Sequence, residues 1–328
     1  GPGRGFTIAC PAFPENRRTV FQGHLFVGDQ LLSDSGMRHH PLTPMTDANL
    51  VRVLQAQTRR KVGLVPHDVV AQGAQAIARR FQALQSEGVG IAVVDAIDND
   101  ALLSIGGALV GLPLVTAGSG IAIGLPQNWR ASGALTLSAT HTDGFPAATG
   151  RRAVVSGSCS VASNAQVARF RQQGHPAFAL DALALGAGVD LVARALAWAD
   201  SVLHEDPARP VLVHATADPD AVRTVQSQLG AERAGELVET ALSRIAVGLV
   251  ERGVRQLVVA GGETSGAVVQ ALGVHQLAIG PQIDPGVPWT AARAAACEGA
   301  TVHLALKSGN FGGADFFSKA FEELELSR

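Results

Sequence analysis

Three short stretches of this chain place glycine beside small hydroxyl side chains directly after an apolar run. Ser156-Gly157-Ser158-Cys159-Ser160 follows RAVV, Gly261-Gly262-Glu263-Thr264-Ser265-Gly266 follows RQLVVA, and Ser308-Gly309-Asn310-Phe311-Gly312-Gly313 follows TVHLALK, which ends in Lys307. In open α/β sheets, ligands bind beyond the carboxyl ends of the strands, where such loops lie. Glycine lets a ligand approach the backbone closely. Ser and Thr can cap the next helix while its first N–H groups and its dipole face an anion, the chemistry that phosphate requires. Lys307 would add a positive charge against a terminal phosphate. One Gly-Gly turn after a strand is ordinarily a plain connection. Three on one sheet edge, one of them beside a lysine, favour a phosphate site.

Other residues offer weaker chemistry. Gly118-Ser119-Gly120-Ile121-Ala122-Ile123-Gly124 resembles a dinucleotide fingerprint but has one residue too many before its last glycine. No acidic partner follows at the expected spacing, and no GxxxxGK[ST] occurs, which argues against an NAD-dependent dehydrogenase. Ser119 and Gly120 could still hold a carboxylate or phosphate. Arg17-Arg18-Thr19 and Met37-Arg38-His39-His40-Pro41 contain arginines, which can clamp a carboxylate with two parallel hydrogen bonds or serve only as surface charges. Adjacent histidines seldom point the same way and no third ligand stands near, so His39-His40 is a poor metal site. Asp284-Pro285-Gly286 is strong turn chemistry. The alternative for Asp284 is a Mg²⁺ contact, since Mg²⁺ is held by one or two carboxylates plus phosphates.

The elements that must position these loops alternate between strand and helix. FTIAC (6–10), KVGLV (61–65), GIAVVDAI (90–97) and LPLVTA (112–117) read as strands, with helices near 47–57, 67–86 and 99–109. Thr46 and Asp47 are the expected caps of the first helix. Residues 127–150 are rich in Ala, Gly, Ser and Thr and read as a linker, in which LTLSAT could form a strand. Beyond it, strands are expected at 152–158, 176–180, 209–216, 255–262, 276–280 and 301–307. Helices are expected near 160–173, 188–203, 231–252, from about 265, and near 313–324. Ala234, Leu237, Val238, Ala241, Leu242, Ile245, Ala246 and Leu249 recur at helical spacing in the longest of these. The pattern predicts an α/β protein of two domains (1–126 and 151–328), each a mainly parallel sheet flanked by helices.

Composition narrows the function. The 328 residues are 47% hydrophobic and 16% charged, with net charge −2, which suits sizeable cores and gives no electrostatic footprint for nucleic acid or an anionic membrane. Tyr is absent and aromatics are scarce, so base-stacking platforms are not expected. Cys10, Cys159 and Cys297 are isolated, with no CxxC pair, which points to a reducing compartment and no zinc site. No signal peptide and no apolar run of about 18 residues is evident, so a cytoplasmic location is expected. The chain starts Gly1-Pro2-Gly3 without an initiator Met and enters a strand almost at once. That suggests a tag remnant or a start inside a longer protein.

Longer motifs carry a resemblance. GGETSGAVVQALG (261–273), IGPQIDPGVPW (279–289) and LALKSGNFGGADFFSKA (304–320) resemble the nucleotide-binding domain of the four-carbon acid sugar kinase family. CPAFPENRRTVFQGHLFVGDQLL (10–32), SGMRHHPLTPMTDANL (35–50) and TAGSGIAIGL (116–125) resemble its sugar-binding domain, nearest the 3-oxo-tetronate branch. The resemblance implies ATP- and Mg²⁺-dependent phosphorylation of the terminal hydroxyl of a four-carbon sugar acid, in a cleft between the domains. It puts ATP contacts on Ser156 and Ser158, on Gly262, Glu263, Thr264, Ser265, Gly266, Ala267, Val268 and Val269, and on Gly309 with Ser308 and Asn310. Gly261 and Lys307 join them from the loop reading. Arg18, in Asn16-Arg17-Arg18-Thr19 where the family usually has Gly at position 17, is the implied carboxylate clamp, with Ser119 and Gly120 beside it.

Members of the family it resembles open with a D-D-F-T-G-A segment; none stands upstream here, so the sugar-acid domain is expected to lack its first part, and no catalytic base is identifiable. Alternatives are a related threonate or erythronate kinase and a non-catalytic nucleotide or sugar-acid sensor. Apart from ATP and the sugar acid, a homodimer is the one partner left open.

Overall fold

Two units, divided between residues 139 and 140, make up the computed structural model, which describes residues 5–39, 43–135 and 144–326. His40 and the LTLSAT run from residue 136 onward lie outside the described residues. The first unit runs β1 (Thr7–Cys10), β2 (Arg18–Phe21), β3 (His24–Val27), β4 (Gln30–Leu31), α1 (Leu50–Gln57), β5 (Lys61–Val65), α2 (His67–Val70), α3 (Ala74–Ser86), β6 (Val89–Val94), α4 (Asn99–Ala108), β7 (Thr116–Ala117) and α5 (Pro126–Ala131). Its main sheet is parallel, in the order β5-β6-β1-β7. Ile8, Val62, Val65, Ala92 and Val93 bury against Ile77, Phe81 and Leu84 of α3 and Leu102 and Ile105 of α4. Apart from Ala92, each such side chain contributes roughly 1.5–3 kcal/mol by leaving water.

The chain passes from β1 out to β5, returns to β6, and then crosses β1 to reach β7. The direction of winding therefore reverses at β1, and ligand crevices form at such a switch. An antiparallel meander, β2-β3-β4, docks at the carboxyl end of β6 through a bridge between Val20 and Ala96. Helix α5 stays with this unit: Gln127 donates to Leu103 O (2.6 Å) and Gly124 O (2.8 Å), and Asn128 donates to Gly106 O (2.7 Å).

The second unit runs β8 (Arg151–Ser156), α6 (Val161–Gln172), β9 (Ala177–Ala179), α7 (Ala182–Gly186), α8 (Leu191–Glu205), β10 (Val211–His214), α9 (Pro219–Leu229), α10 (Ala231–Glu251), β11 (Val254–Ala260), α11 (Gly262–Ala271), β12 (Ala278–Asp284), β13 (Val287–Arg293), β14 (Thr301–Lys307) and α12 (Phe316–Leu326). Its sheet order is β12-β13-β14-β11-β8-β10-β9, parallel from β14 to β9. Helices α8, α10 and α11 cover one face through Ala195, Ala199, Leu242, Ile245, Leu249 and Val268. On the other face, α6 and α12 bury Val167, Phe170, Phe316 and Phe317 against Val154, Val258 and Ala305. Both units thus have the parallel, helix-flanked architecture expected from the alternation. Among the described residues, no helix is long and apolar enough to cross a membrane.

Several boundaries differ from expectation, each for a physical reason. Helix α1 begins at Leu50, capped by Asn49, whose side chain accepts from Arg52 N (3.0 Å); Thr46 and Asp47 do not cap it. A bridge between His24 and Asn49, with Leu25 N donating to Ala48 O (3.0 Å), keeps this stretch extended until residue 49. Asp47 instead accepts from Asn49 N (2.9 Å) and from the Arg52 guanidinium, which holds its carboxyl down at about 2.

The expected helix at 67–86 is two helices, α2 and α3, and only Thr116–Ala117 of LPLVTA is strand. The strand at 276–280 is the antiparallel β12, because the two-residue Pro285-Gly286 connection joins it straight to β13 and cannot make a parallel crossover. Helix α11 begins at Gly262, three residues before the expected start. Asn49→Ala is expected to lower stability by about 1 kcal/mol, and Thr46→Ala by less than about 0.5 kcal/mol. Urea unfolding midpoints of the two variants check this.

Candidate functional site

Ser156, Ala260 and Lys307, the last residues of β8, β11 and β14, stand in register across three neighbouring parallel strands. Their following loops therefore leave the sheet side by side. From β8 the chain winds out to β9 and β10, then crosses back to β11, so the switch in winding falls between the first two of these loops.

Hydrogen bonds tie the three loops into one surface. Gly157 N and Ser158 N both donate to Ala260 O (3.0 and 3.2 Å), and Gly261 N donates to Lys307 O (2.9 Å). Ser160 caps α6 by accepting from Ser163 N (3.1 Å), and both hydroxyls donate to Gly309 O, at 2.6 Å from Ser160 and 3.0 Å from Ser163. A Cβ at Gly309 would overlap Ser158 Oγ and press on Ser160 Oγ, so a larger residue would force these hydroxyls or the two loops apart. Gly261, at φ +126°, turns the chain from β11 into α11.

No side chain caps α11. The N–H groups of its first turn, Gly262 to Thr264, lie beyond the helix's own carbonyls. A Cβ added at Gly262 or Gly266 would meet nothing within 4 Å, so the space beside this helix start is open. Amide donors, a helix dipole and an open approach are the set that a polyphosphate needs.

The expected contact residues divide. Ser158, Gly261, Gly262, Glu263, Thr264, Ser265, Gly266, Ser308, Gly309 and Asn310 gather at this crest. Ser156 is fully buried and bonds Thr216 Oγ1 (2.8 Å). Ala267 is half-buried, while Val268 and Val269 pack into the core beneath α11.

Lys307 departs furthest from expectation. It is 0% exposed, and its Nζ points into the third loop rather than toward a ligand, donating to Ser308 O (3.0 Å), Gly309 O (2.9 Å) and Phe311 O (3.1 Å). Burial pushes its pKa down to about 7. Asp284 ends β12, as a turn residue should, and accepts from Gly313 N (3.0 Å) and Lys319 Nζ (2.6 Å), so protein donors occupy both its oxygens. Among the described residues, no group of three or more His, Cys, Asp or Glu is placed to hold a metal ion.

In the first unit, the loops after β1 and β7 meet at the switch. Gly118 N donates to Cys10 O (2.9 Å), and Gly120 packs on the backbone of Ala12 and Phe13, while Ser119 is exposed. Arg18 is pinned to the same loop, exchanging backbone hydrogen bonds with Phe13 (2.8 and 3.1 Å), and its half-buried guanidinium has its pKa lowered by desolvation. Arg18, Ser119 and Gly120 thus share one crest. Arg38 donates to Ser33 O (3.3 Å).

A residue not singled out in the sequence braces the meander that carries Arg18. Asp95, 0% exposed just after β6, accepts from Gln22 N (2.6 Å), Gly23 N (2.9 Å) and His67 N (2.9 Å), locking the β2-β3 turn and the start of α2. Its only sequence signal is an acid directly following a fully apolar strand.

An α/β protein of two units, one with a phosphate-type crest and one with an arginine at its switch, is the class defined so far. Comparison with known proteins narrows it. Residues 153–317 match the nucleotide-binding C-terminal domain family and residues 2–125 the sugar-binding N-terminal domain family. The chain is 56% identical over 319 residues to a 3-oxo-tetronate kinase of Cupriavidus necator, covering 97% of this chain and 72% of that one. It is 55% identical to a 3-oxo-tetronate kinase of Pseudomonas fluorescens, covering 98% and 72%. A crystal structure from Salmonella typhimurium LT2, described as a candidate tRNA synthase, superimposes with a TM-score of 0.74 at 42% identity, covering 96% of this chain and 73% of that one. The chain belongs to the four-carbon acid sugar kinase family.

The buried lysine has a consequence for stability. An unfolded lysine titrates near 10.4, and the folded one at about 7. Between those values the unfolded chain binds a proton that the folded chain does not, so stability rises with pH across that window and levels off below it. Calorimetric melting of the wild type from pH 7 to 9 is expected to show this rise, on the order of 1 kcal/mol per pH unit. Lys307→Met is expected to flatten it.

Proposed function

We propose that the chain is an ATP-dependent kinase that phosphorylates the terminal hydroxyl of 3-oxo-tetronate. The observation that carries this reading is 54–56% identity to several 3-oxo-tetronate kinases over 97–98% of the chain. The crest supplies a physical reason for it. Phosphoryl transfer depends chiefly on positioning and on neutralising charge. The first-turn amides of α11 and the loop at Gly309 would bind the ATP phosphates. Thr264 and the serines at 158 and 160 would fix the spacing of those loops. In the first unit, Arg18 would clamp the sugar-acid carboxylate, with Ser119 and Gly120 closing the other side of the switch.

ATP supplies the transferable phosphoryl group. Mg²⁺ is proposed to arrive on the nucleotide and to be held by its phosphates. Asp284 is committed to Lys319 and Gly313, so no protein carboxylate is assigned to the metal. The residue that accepts the hydroxyl proton is likewise unassigned. A tRNA-directed activity finds no support in a net charge of −2.

A coupled ADP-release assay over a panel of tetronates and oxo-tetronates tests the reading. Release is expected to require both ATP and 3-oxo-tetronate. Gly309→Ala should raise the KM for ATP at least about tenfold and leave that for the sugar acid within about twofold. Arg18→Ala should do the reverse. Binding of both ligands without turnover would instead favour a sensor, and turnover of threonate or erythronate alone would move the chain to that branch.

A further inference from the structure

We propose that Lys307 is a positioning residue for the phosphoryl donor: it draws three carbonyls of the 308–311 loop inward and so turns the amides between them out toward the phosphates. The inference rests on the nucleotide reading given above, and it assigns Lys307 a role other than direct contact with phosphate.

The geometry is specific. A protonated lysine, the form this side chain takes below about pH 7, has three hydrogens to donate. Here three carbonyl oxygens lie at 2.9–3.1 Å from Nζ, with Ser163 Oγ at 3.4 Å, so no donor is left over for a ligand. The nearby Phe316 ring, 5.9 Å from Nζ to its centroid, adds an apolar wall. No ion pair among the described residues includes Lys307.

A surface loop ordinarily turns its carbonyls to water, and burying an amine is unfavourable unless its hydrogens are bonded. In this loop the carbonyls supply those bonds. No peptide bond among the described residues is cis. In a trans peptide the N–H points opposite to the C=O. Carbonyls of Ser308, Gly309 and Phe311 that face Nζ therefore direct the N–H groups of Gly309, Asn310 and Gly312 away from it, which orients a row of donors by their partners' confinement.

Lys307 also connects all three loops. Its own carbonyl accepts from Gly261 N (2.9 Å), its ammonium reaches the third loop, and Ser163 brings in the first turn of α6. Gly309 O is held by three donors at once: Lys307 Nζ, Ser160 Oγ and Ser163 Oγ. The peptide at the closest point of approach is thus fixed from several sides, as a preorganised anion site requires.

The test separates phosphate binding from folding. Calorimetric titrations of the full chain with ADP and with adenosine at pH 6, where Lys307 holds its proton, give the gain in affinity contributed by the phosphates. In the wild type ADP is expected to bind at least about a hundredfold more tightly than adenosine. In Lys307→Met that ratio should collapse to within about threefold, while the adenosine Kd and the sugar-acid KM stay within about twofold of wild type. A lysine that only stabilised the fold would shift the melting temperature and leave the ratio intact, and a folded Lys307→Met with the wild-type ratio would overturn the proposal. Should circular dichroism show that Lys307→Met does not fold, Ser163→Ala decides. It removes one donor from Gly309 O and is expected to cut the ratio about tenfold, and an unchanged ratio overturns the inference. A wild type that bound neither ADP nor adenosine would sink the kinase reading itself, a result distinct from these.

Discussion

Ser156, Ala260 and Lys307 end three adjacent parallel strands at one level, and their alignment is the constraint on which the crest depends. Neighbouring strands lie about 4.8 Å apart, so loops leaving in register fall within one ligand's span. The register is held by what lies below it. Val154, Val155, Leu257, Val258, Val259, Leu304 and Ala305 are all fully buried, and a slip of one residue would exchange the faces that pack against α10 and α12. Core packing therefore sets the loop spacing, and the loops need only short polar links, such as Gly261 N to Lys307 O, to become a single surface.

The first unit uses the same device with different chemistry. Its winding also reverses next to its first strand, and the loops of β1 and β7 meet there. Its crest, however, offers an arginine and an exposed serine, where the second unit offers bare amides. A planar guanidinium fork suits a small planar carboxylate. A row of fixed amides suits a long, highly charged tail. Buried polar groups brace both units near their crests: Asp95 accepts from three amides beside one, and Lys307 donates to three carbonyls in the other. Each uses a single buried ionisable side chain to fix the direction of several peptide groups.

Much of this was legible in the sequence because it follows from apolar pattern. Helix α10 spans Ala231–Glu251 as its spacing predicts, and the strands KVGLV and TVHLALK are found at their expected bounds. The three glycine-hydroxyl stretches were visible as chemistry. What could not be seen was decided by distant contacts. The bridge between His24 and Asn49 moved a helix cap by two residues. Helix α9 was legible but was not singled out: Val222, Val225 and Leu229 recur at helical spacing on its half-buried face, and Asp218 before Pro219 caps it, accepting from Asp220 N (3.0 Å) and Ala221 N (2.9 Å). Lys307 read as a ligand contact because a lysine beside a glycine loop usually points outward. Only the packing of Phe316 and the inward carbonyls reveal that it faces the other way.

Hydrogen exchange read by mass spectrometry, with and without ADP, tests the convergence of the loops most directly. The account predicts that ADP slows exchange together in peptides covering 157–163, 261–266 and 308–313, with the other strand-end loops of the second unit unchanged. Protection of only one of these segments, or of none, would contradict it.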